Sequence, residues 1–168
     1  MSAAVLPDQA AFRSAMRAVP GAVAIIATGA AGNRSGMTAT AVCSLSDAPP
    51  MLLVCVNASA SAHPVIRERG HFAVNLLAEE QAAIAARFAG AGGVKGEDRF
   101  QLGDWSTLET GAPVLRDAMV AFDCDLVAEH VHATHSIFVG AVRGIAAHAG
   151  APPLLYLAGG FGGFRAAG

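Results

Sequence analysis

Charge is what this 168-residue sequence has least of. Asp, Glu, Lys and Arg make up 14% of it and hydrophobic residues 54%, where an ordinary soluble domain carries roughly 25% charge. Such a chain is not a disordered segment, a coiled coil or a collagen-like repeat, and it cannot clothe a monomer's surface in charge. Lysine is almost missing, Lys95 being the only one. With 11 Lys+Arg against 13 Asp+Glu and a net charge of −2, nucleic acid is excluded as the main partner. A long apolar run is missing too, and a spanning helix needs about 20 such residues. The longest uncharged stretch, 144–164, holds His148, Pro152-Pro153 and glycines at 159, 160, 162 and 163, and the stretch 18–33 is cut by Pro20 and Gly21. No membrane helix is expected, and no secretory signal. Cys43, Cys55 and Cys124 are odd in number and each sits in an apolar run. That excludes a disulfide framework and suits reduced core thiols of a cytoplasmic protein. The apolar surplus is therefore expected to lie hidden in an oligomer.

Several catalytic signatures are absent as well. No G-x-G-x-x-G follows a strand, Lys95 is not in a Walker motif, and no G-x-S-x-G elbow occurs. The cluster His130-x-His132-x-x-His135 is the one pattern that suggests metal. On a single extended strand His130 and His132 share a face and His135 points the other way. No Cys or carboxylate pair stands nearby to complete four ligands, so no metal site is expected.

What is present reads as one domain, 1–168, of about seven strands and two or three helices. Asp8 caps a first helix with Phe12, Met16 and Val19 on one face, and Pro20-Gly21 stops it. Strands are expected at 22–28, 36–44, 51–56, 72–77, around 122–126, at 135–146 and at 154–157. Serines 59 and 61, Pro64 and Gly70 bracket a short helix, and 79–88 is another. The segment 89–112 is Gly-rich and then polar, with Trp105 as its one large anchor. The absence of βαβ alternation favours a mainly β barrel with helical inserts. Segment 162–168 is small and carries no assigned role.

One constellation offers a ligand site. Residues 36–44 alternate small hydroxyl and apolar side chains, and 55–61 end a strand in Asn57 and open a helix with Ser59 and Ser61. Small side chains let a flat aromatic ligand reach backbone groups, and hydroxyls at a helix start suit a phosphate. The same spacing also fits an ordinary Thr-rich strand followed by an N-capped helix.

Six blocks in order, 36–50, 54–57, 72–77, 87–90, 134–140 and 153–156, resemble the short-chain flavin reductase family over about residues 12–161. The resemblance implies an FMN-binding split β-barrel working as a homodimer, with flavin near the subunit interface. It implies reduction of FMN, or FAD, by NADH or NADPH, and release of reduced flavin to a separate flavin-dependent oxygenase. A reductase of another acceptor such as a corrin, and a non-catalytic flavin-binding module, are the alternatives. Carried onto this chain, Met37, Thr38, Ala39 and Thr40 would line the flavin ring, with Ser44 nearby. Val56 and Asn57 would meet its pyrimidine edge, and Ser59, Ser61 and Lys95 its phosphate, with Phe88 in the adjoining turn. His135 would stand by the nicotinamide and Phe161 at the mouth. The chain departs from the family at Ala62, where members often carry a hydroxyl, and at Gly159-Gly160, where they usually carry basic residues. Hydride transfer between such rings is the cofactors' own chemistry, which agrees with the absence of a nucleophile or triad.

Overall fold

The computed structural model describes residues 8–148 and 150–166. Its elements are α1 (Gln9–Met16), β1 (Gly21–Ala22), β2 (Ala24–Thr28), β3 (Ser35–Ala39), β4 (Val42–Asp47), β5 (Pro50–Asn57), α2 (Ala62–Arg69) and β6 (His71–Leu76). A 3-10 turn, Glu79–Gln81, then leads into α3 (Ala82–Phe88). Turns at Ala91–Gly93 and Gly96–Gln101 precede β7 (Trp105–Thr107), β8 (Pro113–Leu115), β9 (Val120–His132), β10 (His135–Ala147), β11 (Leu154–Leu157) and β12 (Gly160–Gly163).

Seven strands form one antiparallel sheet in the order β3-β2-β6-β9-β10-β5-β4. Its two edge strands are consecutive in the chain and joined only by Thr40 and Ala41. So short a link forces the edges together, and the sheet curls into a barrel. The expectation of one strand over 36–44 is thus corrected: the segment breaks at Thr40-Ala41 and serves both edges. A three-stranded sheet β1-β11-β12 and the hairpin β7-β8 flank the barrel. Among the described residues there are twelve strands rather than about seven, because β1, β7, β8 and β12 have four residues or fewer and show no periodicity.

Two cores hold the fold. Inside the barrel lie Ala24, Ile26, Leu52, Val54, Val56, Ile66, Phe72, Val74, Cys124 and Phe138. Outside it, Ile25, Ala27, Ala73, Ile84, Phe88, Phe100, Val114 and Leu115 pack beneath α3. Asn75, fully buried, donates from Nδ2 to the carbonyls of Ile25 and Pro113 and accepts from Leu115 N at 2.8 Å, tying β8 to the barrel. The expected helix caps hold: Asp8 accepts from Ala11 N at 2.7 Å, and Gly70 ends α2 with φ of 69°. The apolar face of α1 stays uncovered, with Phe12, Met16 and Val19 exposed. Of the segment 162–168, Gly162 and Gly163 belong to β12, and residues 167 and 168 lie outside the described residues. No helix among the described residues is long and apolar enough to cross a membrane.

Candidate functional site

A cavity of about 590 Å³ opens between β3, the start of α2, the end of α3 and the turn Gly96–Gln101. It brings together Met37, Thr38, Ser59, Ser61, Phe88 and Lys95, residues that lie up to 58 positions apart in the sequence. The two sides are locally built. Thr38 Oγ1 donates to the Ala85 carbonyl at 2.6 Å, fastening β3 to α3. Asn57 Oδ1 accepts from Ser59 N at 2.9 Å and from Ser59 Oγ at 2.8 Å, an Asx turn that sets the approach to α2. Ser61 Oγ lies 3.3 Å from Ser35 Oγ. Phe88 is buried as the floor, edge-on to Phe100 at 5.0 Å. A Cβ on Gly36 would meet the Phe88 ring at 2.9 Å and the Ile26 carbonyl at 3.0 Å, so only glycine lets β3 run this close over the floor.

Arg99 also lines this cavity, and the sequence reading missed it. Its Nη1 donates to the Gly36 carbonyl at 2.7 Å and its Nε to the Val94 carbonyl at 3.0 Å, which leaves a guanidinium beside Lys95. Its only signal was a basic residue four positions after the sole lysine, a spacing that any solvated turn could show. Below it, Glu97 accepts from Arg34 N and Nε at 2.7 Å each. Burial raises the Glu97 carboxyl, but the Arg34 side-chain bond, the backbone bonds of Arg34 and Gly32 and the Arg34 charge outweigh it and hold it below its ordinary range. With Glu97 neutralised by Arg34, the positive character of Lys95 and Arg99 is left facing the cavity.

Other expected residues lie elsewhere. Thr40 and Ser44 line a second, apolar groove of about 560 Å³ at the barrel's open end, with Val42, Cys43, Leu52, Leu76, Phe122, Val142 and Ile145. Ala39 and Val56 are buried in the barrel core and neither lines the main cavity, which corrects their expected contact with the ligand. Phe161 stands on β12 beside Tyr156, ring centroids 5.6 Å apart, away from the main cavity's lining. Gly159 lies in a tight β11–β12 turn with φ of 93°, after Ala158 at 53°, so backbone conformation excludes a basic side chain there without strain. Ala62 is fully buried in the interior.

His135 opens β10, exposed, with Nδ1 2.9 Å from Thr134 Oγ1. It pairs with Asn57 across β5 and with His132 across β9. His130 likewise opposes Ile137. All three histidines therefore share one face: His135 opens the next strand, as expected, and the turn at Ala133-Thr134 sets it opposite His132, whereas on one continuous strand it would point away. Among the described residues, no three His, Cys, Asp or Glu side chains are grouped to hold a metal.

The curled sheet, the cationic cavity and the strand order together invite comparison with known proteins. Residues 16–165 match the flavin reductase like domain. The chain belongs to that family. It is 46% identical over 155 residues to an FMN reductase (NADH), RutF 1, of Methylorubrum extorquens, covering 92% of this chain and 76% of that one. BorF, the flavin reductase component of a bacterial two-component tryptophan halogenase, superposes with a TM-score of 0.86 at 30% identity, covering 95% of this chain and all of BorF. SgcE6 of Streptomyces globisporus, an NADH:FAD oxidoreductase solved with NAD and FAD fragments, gives 0.87 at 28% identity, covering 97% of this chain and 98% of SgcE6. As a flavin reductase fold, the barrel fits a flavin by its donor set. A cavity of this size lies within the usual range for a bound small molecule. Met37 and Phe88 offer apolar surface, and Ser59, Ser61, Lys95 and Arg99 offer donors for a phosphate.

Proposed function

We propose that the cavity over Phe88 holds FMN, and that the chain is an NAD(P)H-dependent flavin reductase, with NADH the preferred donor, supplying reduced flavin to a separate oxygenase. The observation that carries this reading is the convergence of Met37, Thr38, Ser59, Ser61, Phe88 and Lys95, with Arg99, on one cavity. The names of the relatives, FMN reductase (NADH) and reductase component of a two-component halogenase, support it.

When bound, flavin and a reduced nicotinamide supply the hydride chemistry themselves. The chain's own groups do the rest. Lys95 and Arg99 neutralise the phosphate, and the serines at the start of α2 donate to it. Phe88 and Met37 give the ring an apolar seat that excludes water from one side. Asn57 and His135, paired at the ends of β5 and β10, offer donors where the nicotinamide would approach. Holding the two rings about 3–3.5 Å apart is the site's catalytic task.

A second copy of this chain completes the molecule in this reading. The face of β5 and β10 that ends in Asn57 and His135 also carries Leu53, Cys55 and Ile137, so a partner covering it would bring the site to the interface. The family match across 16–165 supports action as one domain, and three free thiols suit a cytoplasmic setting.

The test is oxidation of NADH followed by its loss of absorbance with and without added FMN, alongside the visible spectrum of the purified protein. Turnover that rises with added FMN and prefers NADH is expected. A yellow protein with no turnover would make it a binding module, and a colourless protein indifferent to FMN would end the reading.

A further inference from the structure

Beneath α2 a polar cluster runs from the buried Ser136 and His63 through the half-buried Glu129 to the exposed Arg67. Glu129 leaves β9 on the inward side, opposite Phe138. Its Oε1 accepts the Ser136 hydroxyl at 2.7 Å, and its Oε2 lies 2.9 Å from Arg67 Nε. Ser136, 1% exposed, is 2.8 Å from His63 Nε2. Because a serine hydroxyl has one hydrogen and Glu129 takes it, His63 must donate from Nε2, which assigns its tautomer. The His63 ring in turn leans on Phe138, centroids 5.2 Å apart.

The location gives the cluster its meaning. Ser136 directly follows His135, and the two pair with Val56 and Asn57 of β5. His63 and Arg67 occupy successive turns of α2, whose start carries Ser59 and Ser61. One carboxylate thus ties the strand that presents His135 to the helix that follows the phosphate-facing serines. An ion pair with one member as exposed as Arg67 adds little to stability. Its contribution here is geometric. We propose that Glu129 is a positioning residue for the reductase reaction, setting His135 through Ser136 and the start of α2 through His63 and Arg67. The proposal rests on the flavin reductase reading given above.

The experiment is stopped-flow reduction of saturating FMN by NADH, with the FMN Kd measured separately by fluorescence quenching. Glu129→Leu, Glu129→Gln and Ser136→Ala are compared, each alone and combined with His135→Ala. Glu129→Leu is expected to slow hydride transfer by about 10–100-fold, as a misplaced reacting geometry does, and to weaken FMN binding. Glu129→Gln keeps an oxygen for the Ser136 hydroxyl and should recover most of the rate. Placed on His135→Ala, Glu129→Leu should add less than about a twofold further loss, because both act through one group. A folded Glu129→Leu variant with unaltered rate and Kd would overturn the proposal, as would an equal fold-loss with and without His135. If Glu129→Leu does not fold, Ser136→Ala, which removes only the bridging hydroxyl, is held to the same two outcomes. Failure of the unaltered chain to reduce FMN would sink the functional reading instead, which keeps the two failures apart.

Discussion

Strands β2 and β5 are both apolar runs, but the fold treats them differently. In β2 every residue is buried: Ala24 and Ile26 point into the barrel, and Ile25 and Ala27 pack beneath α3. In β5 only Leu52, Val54 and Val56 are buried, while Met51, Leu53 and Cys55 on the other face remain half-covered. Neighbouring β4 leaves Leu45 exposed, and β10 leaves Ile145 exposed. A strand that is apolar on both faces signals cover on both sides. For β2 the cover comes from this chain; for β5 nothing among the described residues provides it. That difference locates the surplus implied by 54% hydrophobic and 14% charged residues, and it ends at Asn57 and His135.

The contrast can be pressed from both sides. Ile25→Ala should have the largest effect on folding, costing about 2–5 kcal/mol of stability in urea unfolding, because its cavity opens in a closed core. A loss below about 1 kcal/mol would mean that the outer core is looser than its packing indicates. Leu53→Asp should leave the monomer folded and instead separate the proposed dimer, lowering the apparent mass in sedimentation and reducing NADH oxidation with it. Unchanged assembly would remove β5 from the interface.

The thiols sharpen the comparison further. Burial first, and then the charges of Asp123 and Asp125, push the Cys124 thiol up to about 12 from an ordinary 9.0. Since the folded form holds the proton more tightly, its stabilising contribution is complete below about pH 9 and is lost as pH rises toward 12. Denaturant midpoints should therefore fall above pH 9, and less so in Cys124→Ala. The smallest effect concerns labelling. At neutral pH a thiol reagent should reach Cys43 and Cys55 on β4 and β5 only when subunits are separated, as in Leu53→Asp, and Cys124 only on unfolding. Equal labelling of Cys43 in both assemblies would break the link between that face and the interface.

Strands with clear runs, such as β2, β5, β6 and β10, were legible from residue pattern, as were the caps at Asp8 and Gly70. Barrel closure was not, because the break at Thr40-Ala41 falls inside a stretch of small residues whose alternation continues across the corner. The hairpin β7-β8 is too short to show a period. Ser59, Ser61 and Lys95 could be carried over by position to one cavity, since all three are exposed polar residues on segments that the fold brings together. Val56 and Ala39 could not, because position does not say which face a strand residue presents, and here both face the core. The shared face of His130, His132 and His135 depends on hairpin register, which counting along one strand inverts. Arg99 was missed because only the fold brings its turn over the Gly36 carbonyl.

The most direct measurement is the mass of the unaltered protein in solution by sedimentation equilibrium at micromolar concentration. Two copies per particle, together with dissociation by Leu53→Asp, is the predicted result. A stable monomer that still reduces FMN would contradict the account, since β5 would then keep its apolar face in water and the site would need no second copy.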